Sequence, residues 1–147
     1  MNKGAKKNQA FDTGVTAGNI LLIEDEEVVV DVAEQVLDRA GYHVVTASDG
    51  VEAVQLLSEY LSAGRHLDAV IMDLELPGEL SGLKLVDKIL GIDPNMAVII
   101  SSGYTEDKMM QKHEDYGLSG RLSKPYGARE LIDCVRSAIE KNISVVL

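Results

Sequence analysis

Polar side chains of opposite charge stand at the ends of four short apolar runs in this chain. They are the pair Glu24 and Asp25, then Asp73, the pair Ser101 and Ser102, and finally Lys124. Carboxylates that crowd together repel one another unless a cation or a proton lies among them. Oxygen-rich sites of this kind suit Mg²⁺, and a lysine and a hydroxyl beside the metal suit a phosphoryl group. The residue types therefore indicate phosphoryl transfer to an aspartate, provided that the fold brings them together.

The surrounding elements decide whether these residues meet, because an isolated aspartate such as Asp73 commonly just begins a surface loop. Apolar, β-like runs alternate with stretches of helical spacing, which predicts five βα units. The expected strands cover residues 20–23, 42–47, 68–72, 96–101 and 120–123. The expected helices cover residues 26–40, a segment capped by Ser48 or Asp49, residues 83–90, a weakly patterned segment at 105–115, and residues 128–141.

Alternating βα units predict an α/β fold, a parallel sheet with helices on both faces. The strands are almost entirely apolar, as strands buried on both sides should be. In such sheets ligands bind at the carboxyl ends of the strands, where the strand order reverses, and the polar residues above fall at those ends. In the first helix we expect Val28, Val32, Val36 or Leu37, and Ala40 to face the sheet.

Composition and charge limit the classes of function. A chain of 147 residues with 46% hydrophobic and 26% charged residues fits one soluble globular domain. The formal net charge of −10 argues against general binding to nucleic acids or anionic membranes, which requires Lys and Arg. The single cysteine, Cys134, excludes an internal disulfide.

The N-terminal stretch is not expected to be a secretory signal. Residues 1–18 contain lysines but no apolar core of a secretory signal, and no apolar run approaches the roughly 18 residues of a membrane span. We expect residues 1–18 to be a flexible tail, residues 19–141 the domain and residues 142–147 a C-terminal tail. A cytoplasmic location is expected by default.

Four motifs of this chain, taken in order, resemble those of the response-regulator receiver domain of two-component signalling. They are "ILLIEDEE", "AVIMDLELPG", "VIISSGY" and "RLSKPY", and the resemblance extends over roughly residues 18 to 141. It implies a flavodoxin-like, doubly wound (βα)5 sandwich, with a five-stranded parallel sheet in the order 2-1-3-4-5. It also implies a function, phosphoryl transfer from a histidine kinase or a histidine phosphotransfer protein to an aspartate.

The resemblance assigns a role to each residue of the site. Asp73 is the phosphoacceptor, and Glu24, Asp25, Asp73 and the backbone carbonyl of Glu75 are expected to hold Mg²⁺, with Mn²⁺ as a substitute. The residues expected to bind the phosphoryl group are Lys124, Ser102, Leu74 and Gly103. Ser102 is preferred to Ser101 as the switch hydroxyl because Gly103 follows it and it lies 22 positions before Lys124. The Lys124–Pro125 peptide bond is expected to be cis.

Three features depart from the usual pattern or vary within it. Arg121 stands where the family carries an aromatic switch residue, so Arg121 is either a solvated strand residue or pairs with an acid in one state. Glu75 and Tyr104 stand where the family tunes the lifetime of the phosphoryl group. Gly82 comes one residue later than the usual glycine, which predicts a slightly longer loop beside the site.

The wider context leaves several hypotheses open. The chain is expected to be either a single-domain regulator that acts on a downstream protein, or the receiver of a hybrid histidine kinase. Homodimerisation through the fourth and fifth helices is known in the family, and a degenerate receiver that binds partners without phosphorylation is a weaker hypothesis. A hydrolase of the haloacid-dehalogenase type also uses an aspartate nucleophile with Mg²⁺. That hypothesis has only Glu75 at the spacing of the second acid, without the rest of the motif.

Overall fold

The computed structural model describes residues 17 to 146, so nearly all of the predicted N-terminal tail lies outside the described residues. The strands are β1 Gly18–Ile23, β2 Tyr42–Ala47, β3 Ala69–Asp73, β4 Ala97–Ser102 and β5 Gly120–Ser123. The helices are α1 Glu27–Arg39, α2 Gly50–Ser62, α3 Gly82–Ile92, α4 Lys108–Gln111 and α5 Ala128–Val146. A short 3₁₀ turn at His113–Tyr116 follows α4.

The strands form one parallel sheet in the order β2-β1-β3-β4-β5, which confirms the predicted fold class. The register places the polar residues at the same edge. Ile23 pairs with Met72 and Asp73 pairs with Ser101, so Glu24, the next residue of the chain, lies level with Asp73. At the other side, Ser102 pairs with Ser123, immediately before Lys124.

The core lies on both faces of the sheet because side chains of a strand alternate between its two sides. Leu21 and Ile23 of β1 pack on one face with α2 and α3, and Ile20 and Leu22 pack on the other with α1 and α5. These strand residues are at most 1% exposed. Each such side chain stabilises the fold by about 1.5–3 kcal/mol, so the strand ends are held on a rigid base.

Asp49 is the N-cap of α2, which decides between the two candidates from the sequence. Its side chain accepts a hydrogen bond from the Glu52 amide at 2.8 Å. The Glu52 carboxylate in turn accepts from the Ser48 amide at 2.7 Å. Because these bonds use amides that the helix leaves without partners, they fix the start of α2 beside the end of β2.

The predicted inner face of α1 is partly wrong. Val28 is 76% exposed and Val32 is 55% exposed, whereas Ala33 and Leu37 are completely buried. Valines occur on several sides of this helix, so hydrophobic spacing alone did not identify the face that meets the sheet.

Two other helices also differ from the sequence prediction. The weakly patterned segment at 105–115 contains only the four-residue α4 and the 3₁₀ turn. The last helix continues to Val146 instead of ending near 141. Ile143, in this last part of the helix, is 53% exposed, so its apolar side chain is not part of the buried face.

Gly50 allows the start of α2 to contact the loop that follows β3. A Cβ atom at Gly50 would lie 2.0 Å from the carbonyl oxygen of Leu80, whereas a Cβ at Gly91 in α3 would meet nothing within 4 Å. We expect Gly50→Ala to lower the free energy of unfolding by about 1–3 kcal/mol, the usual cost of overpacking. The matched control, Gly91→Ala, should raise it by about 0.5–1 kcal/mol through helix propensity. Urea denaturation measures both; equal effects would contradict the close contact.

Candidate functional site

Three carboxylates converge at the carboxyl ends of β1 and β3. Glu24 is 3% exposed and Asp73 is 2% exposed, whereas Asp25 faces solvent. One oxygen from each of the three lies within 4.8 Å of the others. This donor set, hard oxygen ligands open to solvent on one side, fits Mg²⁺, which keeps several waters when it binds protein carboxylates.

Lys124 reaches into the acid cluster from the end of β5. Its Nζ lies 2.8 Å from Glu24 Oε1, 3.1 Å from Asp73 Oδ2 and 3.5 Å from Glu26 Oε1. The Lys124 side chain is only 14% exposed. The peptide bond between Lys124 and Pro125 is cis. The structure thus brings together the acids and the lysine that the sequence placed at separate strand ends.

Burial and charge shift the pKa values of this pair. Burial raises the pKa of Glu24 to about 7, with the Lys124 ammonium opposing the shift and the Asp73 carboxylate adding to it. Burial alone would lower the pKa of Lys124, but its hydrogen bonds to Glu24 and Asp73 outweigh burial and raise the pKa. Because one ammonium faces two buried carboxylates, the site keeps an excess of negative charge, which a bound cation can neutralise.

Ser102 lies completely buried at the end of β4 and is hydrogen-bonded to Glu75. Its hydroxyl donates to Glu75 Oε2 at 2.7 Å, and the Gly103 amide donates to Glu75 Oε1 at 3.2 Å. The Ser102 oxygen also accepts from the Tyr104 amide at 2.9 Å. The Tyr104 side chain is 65% exposed. The sequence marked Glu75 and Ser102 separately but gave no sign that their side chains meet.

The amides of Leu74 and Glu75, the two residues after Asp73, have different hydrogen-bond partners. The Leu74 amide donates to the Ser101 carbonyl at 2.9 Å, so the sheet engages it. The Glu75 amide donates to Asp73 Oδ1 at 2.9 Å and is the one that faces the acid cluster. Of these two amides, it is therefore the Glu75 amide that contacts the Asp73 side chain.

Arg121 is an exposed residue of the edge strand β5, which agrees with the first of the two arrangements considered from the sequence. Its Nη1 donates to the carbonyl oxygens of Met110 at 2.6 Å and Gln111 at 3.2 Å, at the end of α4. These carbonyls have no partner within the helix, so the guanidinium satisfies them. Arg121 therefore ties β5 to α4 through main-chain atoms.

An apolar groove opens beside the acid cluster. It is lined by Val28, Val29 and Val32 of α1 and by Lys124, Pro125, Tyr126 and Glu26. The exposed valines that were predicted to be buried thus form a surface next to the site.

Comparison with known proteins agrees with this arrangement. The family model described as the response regulator receiver domain matches residues 20–136. The chain is 32% identical to the sensor kinase CckA of Brucella abortus over 139 residues, which is 95% of this chain and 14% of that kinase. It is 26% identical to sporulation initiation phosphotransferase F of Bacillus subtilis, covering 80% of this chain and 90% of that protein.

A solved structure has the same fold. The receiver domain protein from Clostridium thermocellum superposes with a TM-score of 0.76 at 29% identity, covering 87% of this chain and 98% of that one. The parallel sheet, with an acid cluster and a lysine at its carboxyl edge, agrees with the class of receiver domains that the comparisons find. The chain belongs to the response regulator receiver family of two-component systems. In the described part of the chain, no helix is both long and apolar enough to cross a membrane.

The acid cluster generates a prediction about stability. Asp25→Asn removes one of three neighbouring negative charges, so in EDTA it should raise the free energy of unfolding, by about 1 kcal/mol if the water around the exposed Asp25 screens its repulsion from a carboxylate roughly 4 Å away. Added Mg²⁺ should raise the thermal midpoint of the wild type because it binds only the folded state, and should raise that of Asp25→Asn much less. Differential scanning fluorimetry at fixed ionic strength measures both. Equal Mg²⁺ shifts in the two proteins would exclude Asp25 as a ligand.

Proposed function

We propose that this chain accepts a phosphoryl group on Asp73 from a phosphohistidine of a histidine kinase or histidine phosphotransfer protein. The observation that carries the proposal is the placement of the Asp73 carboxylate. It is buried, it lies 3.1 Å from the Lys124 ammonium, and it shares a 4.8 Å cluster with Glu24 and Asp25. Since transfer to an aspartate requires mainly positioning and charge neutralisation, these groups supply what the reaction needs.

The chemistry follows from the side chains present. An oxygen of Asp73 attacks phosphorus, the new O–P bond forms as the P–N bond breaks, and the bonding electrons return to the imidazole nitrogen of the donor. Lys124 stays protonated and neutralises the incoming oxygens. Ser102 and the Gly103 amide follow Ser101, the strand partner of Asp73, and would donate to these oxygens. Mg²⁺ or Mn²⁺, held by Glu24, Asp25, Asp73 and the Glu75 carbonyl, would supply further charge neutralisation.

The phosphoryl group leaves by hydrolysis. A water molecule attacks phosphorus, the bond between the Asp73 oxygen and phosphorus breaks, and the products are inorganic phosphate and the free carboxylate. Glu75 and Tyr104 lie beside Ser102 at the solvent side of the site, in a position to influence the approach of that water. The aspartyl phosphate is thus a temporary state that the domain itself forms and removes.

Phosphorylation changes the binding of a downstream protein through the end of β4. A new dianionic group on Asp73 attracts the Ser102 hydroxyl, and the segment after β4 moves with it. Arg121 transmits the change because it ties β5 to the carbonyls of Met110 and Gln111. The result is a shift between two conformations of the surface formed by α4, β5 and α5. Homodimerisation through this surface is one way in which the change of conformation could produce a signal.

The apolar groove is the surface on which the phosphohistidine donor docks. Val28 and Val32 are exposed, and Lys124 belongs both to the groove and to the acid cluster. A donor helix that packs its apolar side on these valines brings its histidine to the edge of the site. Such exposed apolar patches usually mark protein interfaces.

The receiver of a hybrid histidine kinase is the second candidate, favoured by the match to CckA over 95% of this chain. The match to phosphotransferase F over 90% of that protein favours a single-domain regulator equally well. For either candidate we propose a cytoplasmic location, where a kinase would donate its phosphoryl group. A degenerate receiver is disfavoured because Glu24, Asp73, Ser102 and Lys124 are all present at one edge of the sheet.

Acetyl phosphate tests the phosphoacceptor. Intact mass spectrometry after incubation with acetyl phosphate and Mg²⁺ should show one added phosphoryl group in the wild type, because the site supplies both the nucleophile and the charge neutralisation. Asp73→Asn should show none, and EDTA should abolish the adduct. Asp87→Asn, on the exposed side of α3, is the matched control and should behave like the wild type. An adduct that persists in Asp73→Asn would refute the assignment.

The double variant Val28→Ser and Val32→Ser tests the docking surface. Transfer from histidine-phosphorylated kinases and phosphotransfer proteins of the same organism should slow at least about tenfold in kcat/KM. Burial of a valine contributes roughly 1.5 kcal/mol, and about 1.4 kcal/mol is a factor of ten. The rate with acetyl phosphate should not change. Val51→Ser removes a 59% exposed valine from α2 and is the control; equal slowing by Val51→Ser would place the donor elsewhere.

A further inference from the structure

The Glu75 carboxylate accepts hydrogen bonds from two donors at the end of β4. Ser102 Oγ donates to one of its oxygens at 2.7 Å and the Gly103 amide donates to the other at 3.2 Å. Both bonds join residues that are 27 and 28 positions apart in the chain. The carboxylate therefore bridges the loop after β3 to the end of β4.

The orientation of the Ser102 hydroxyl leaves it no second strong acceptor. A serine hydroxyl has one proton to donate and lone pairs to accept with. The oxygen accepts from the Tyr104 amide at 2.9 Å, and the only other acceptor in the described structure, the Tyr104 carbonyl, is more distant at 3.4 Å. The proton thus belongs to the Glu75 bond, and it is withheld from any other anion while that bond exists.

We propose that Glu75 is an internal competitor of the phosphoryl group. This inference rests on the proposed function, in which a phosphoryl group on Asp73 is bound by the Ser102 hydroxyl and the Gly103 amide. In the unphosphorylated protein the Glu75 carboxylate takes the place of that anion and holds both donors. Phosphorylation displaces it, because each donor serves one anion at a time and the two anions repel each other.

The Glu75 side chain can move away from Ser102 and Gly103 while its backbone stays in place. The residue is exposed, so the released carboxylate enters solvent without a desolvation cost. Its amide remains bonded to Asp73 Oδ1 at 2.9 Å, which keeps the loop in place. Glu75 is therefore a positioning residue. By holding the Ser102 hydroxyl and the Gly103 amide beforehand, it sets the affinity of these two donors for another anion.

Beryllofluoride, which imitates a phosphoryl group on an aspartate, tests the competition without covalent chemistry. Titration of each protein with beryllium and fluoride in Mg²⁺, followed by ¹H–¹⁵N spectra, should give a dissociation constant at least threefold lower for Glu75→Ala than for the wild type. Glu75→Gln should fall between them, because a neutral amide oxygen accepts more weakly than a carboxylate. Before any ligand is added, the Gly103 and Tyr104 amide resonances should already shift in Glu75→Ala.

Glu79→Ala is the matched control, since it removes the same charge from the same loop at an exposed position. It should leave both the dissociation constant and the Gly103 resonance near the wild-type values. Equal affinity in wild type and Glu75→Ala, equal gains in Glu75→Ala and Glu79→Ala, or weaker binding in Glu75→Ala would each overturn the competition. Glu75→Gln carries the same test if Glu75→Ala fails to fold.

The outcomes separate this inference from the function on which it rests. If the wild type binds beryllofluoride and Glu75→Ala binds it no more tightly, the receiver function stands and the competition is refuted. If none of the folded proteins binds beryllofluoride, the proposed function fails, and the competition fails with it. Binding by Glu75→Ala alone would support the competition in its strongest form.

Discussion

Two carboxylates held out of water at the ends of adjacent strands are the constraint around which this domain is organised. Glu24 and Asp73 are almost fully buried, and buried charges are unfavourable unless they are paired. The parallel register of β1 and β3 leaves no alternative, because it sets the two residues level at the same edge. Lys124 offsets part of the cost from β5, at 2.8 and 3.1 Å from the two acids.

The negative charge that Lys124 does not neutralise explains why a rigid sheet can carry a site that responds to ligand binding. A core that packs on both faces fixes the strand ends, so the acids cannot separate to relieve their repulsion. The site is therefore less stable without a cation than an apolar edge would be, and it gains stability from any ligand that restores neutrality. The repulsion between the acids lowers the stability of the fold, and the buried apolar strands offset this loss.

Sequence reasoning succeeded where local pattern and topology agree. Apolar runs of four to six residues identify buried parallel strands, and the rule that ligands bind at their carboxyl ends then brings Asp73, Glu24 and Lys124 together. It failed where contacts depend on rotation about a helix axis or on the reach of a side chain. Val28 looked like a core residue because α1 carries valines on several sides. The bonds from Arg121 to main-chain carbonyls, and from Ser102 to Glu75, join distant residues whose types carry no sign of the pairing.

Lys124 takes part in two environments at once, because its ammonium contacts the acids while its side chain lines the apolar groove. A ligand that moves Lys124 in the acid cluster therefore also changes the lining of the apolar groove. By thermodynamic reciprocity, a protein in the groove that favours one position of Lys124 must change the affinity of the acid cluster for a cation, and the cation must change the affinity of that protein by the same factor. With Mg²⁺ in the acid cluster and a partner in the groove, as proposed above, each would be an effector of the other, and the concentration of free Mg²⁺ would set part of the partner's apparent affinity.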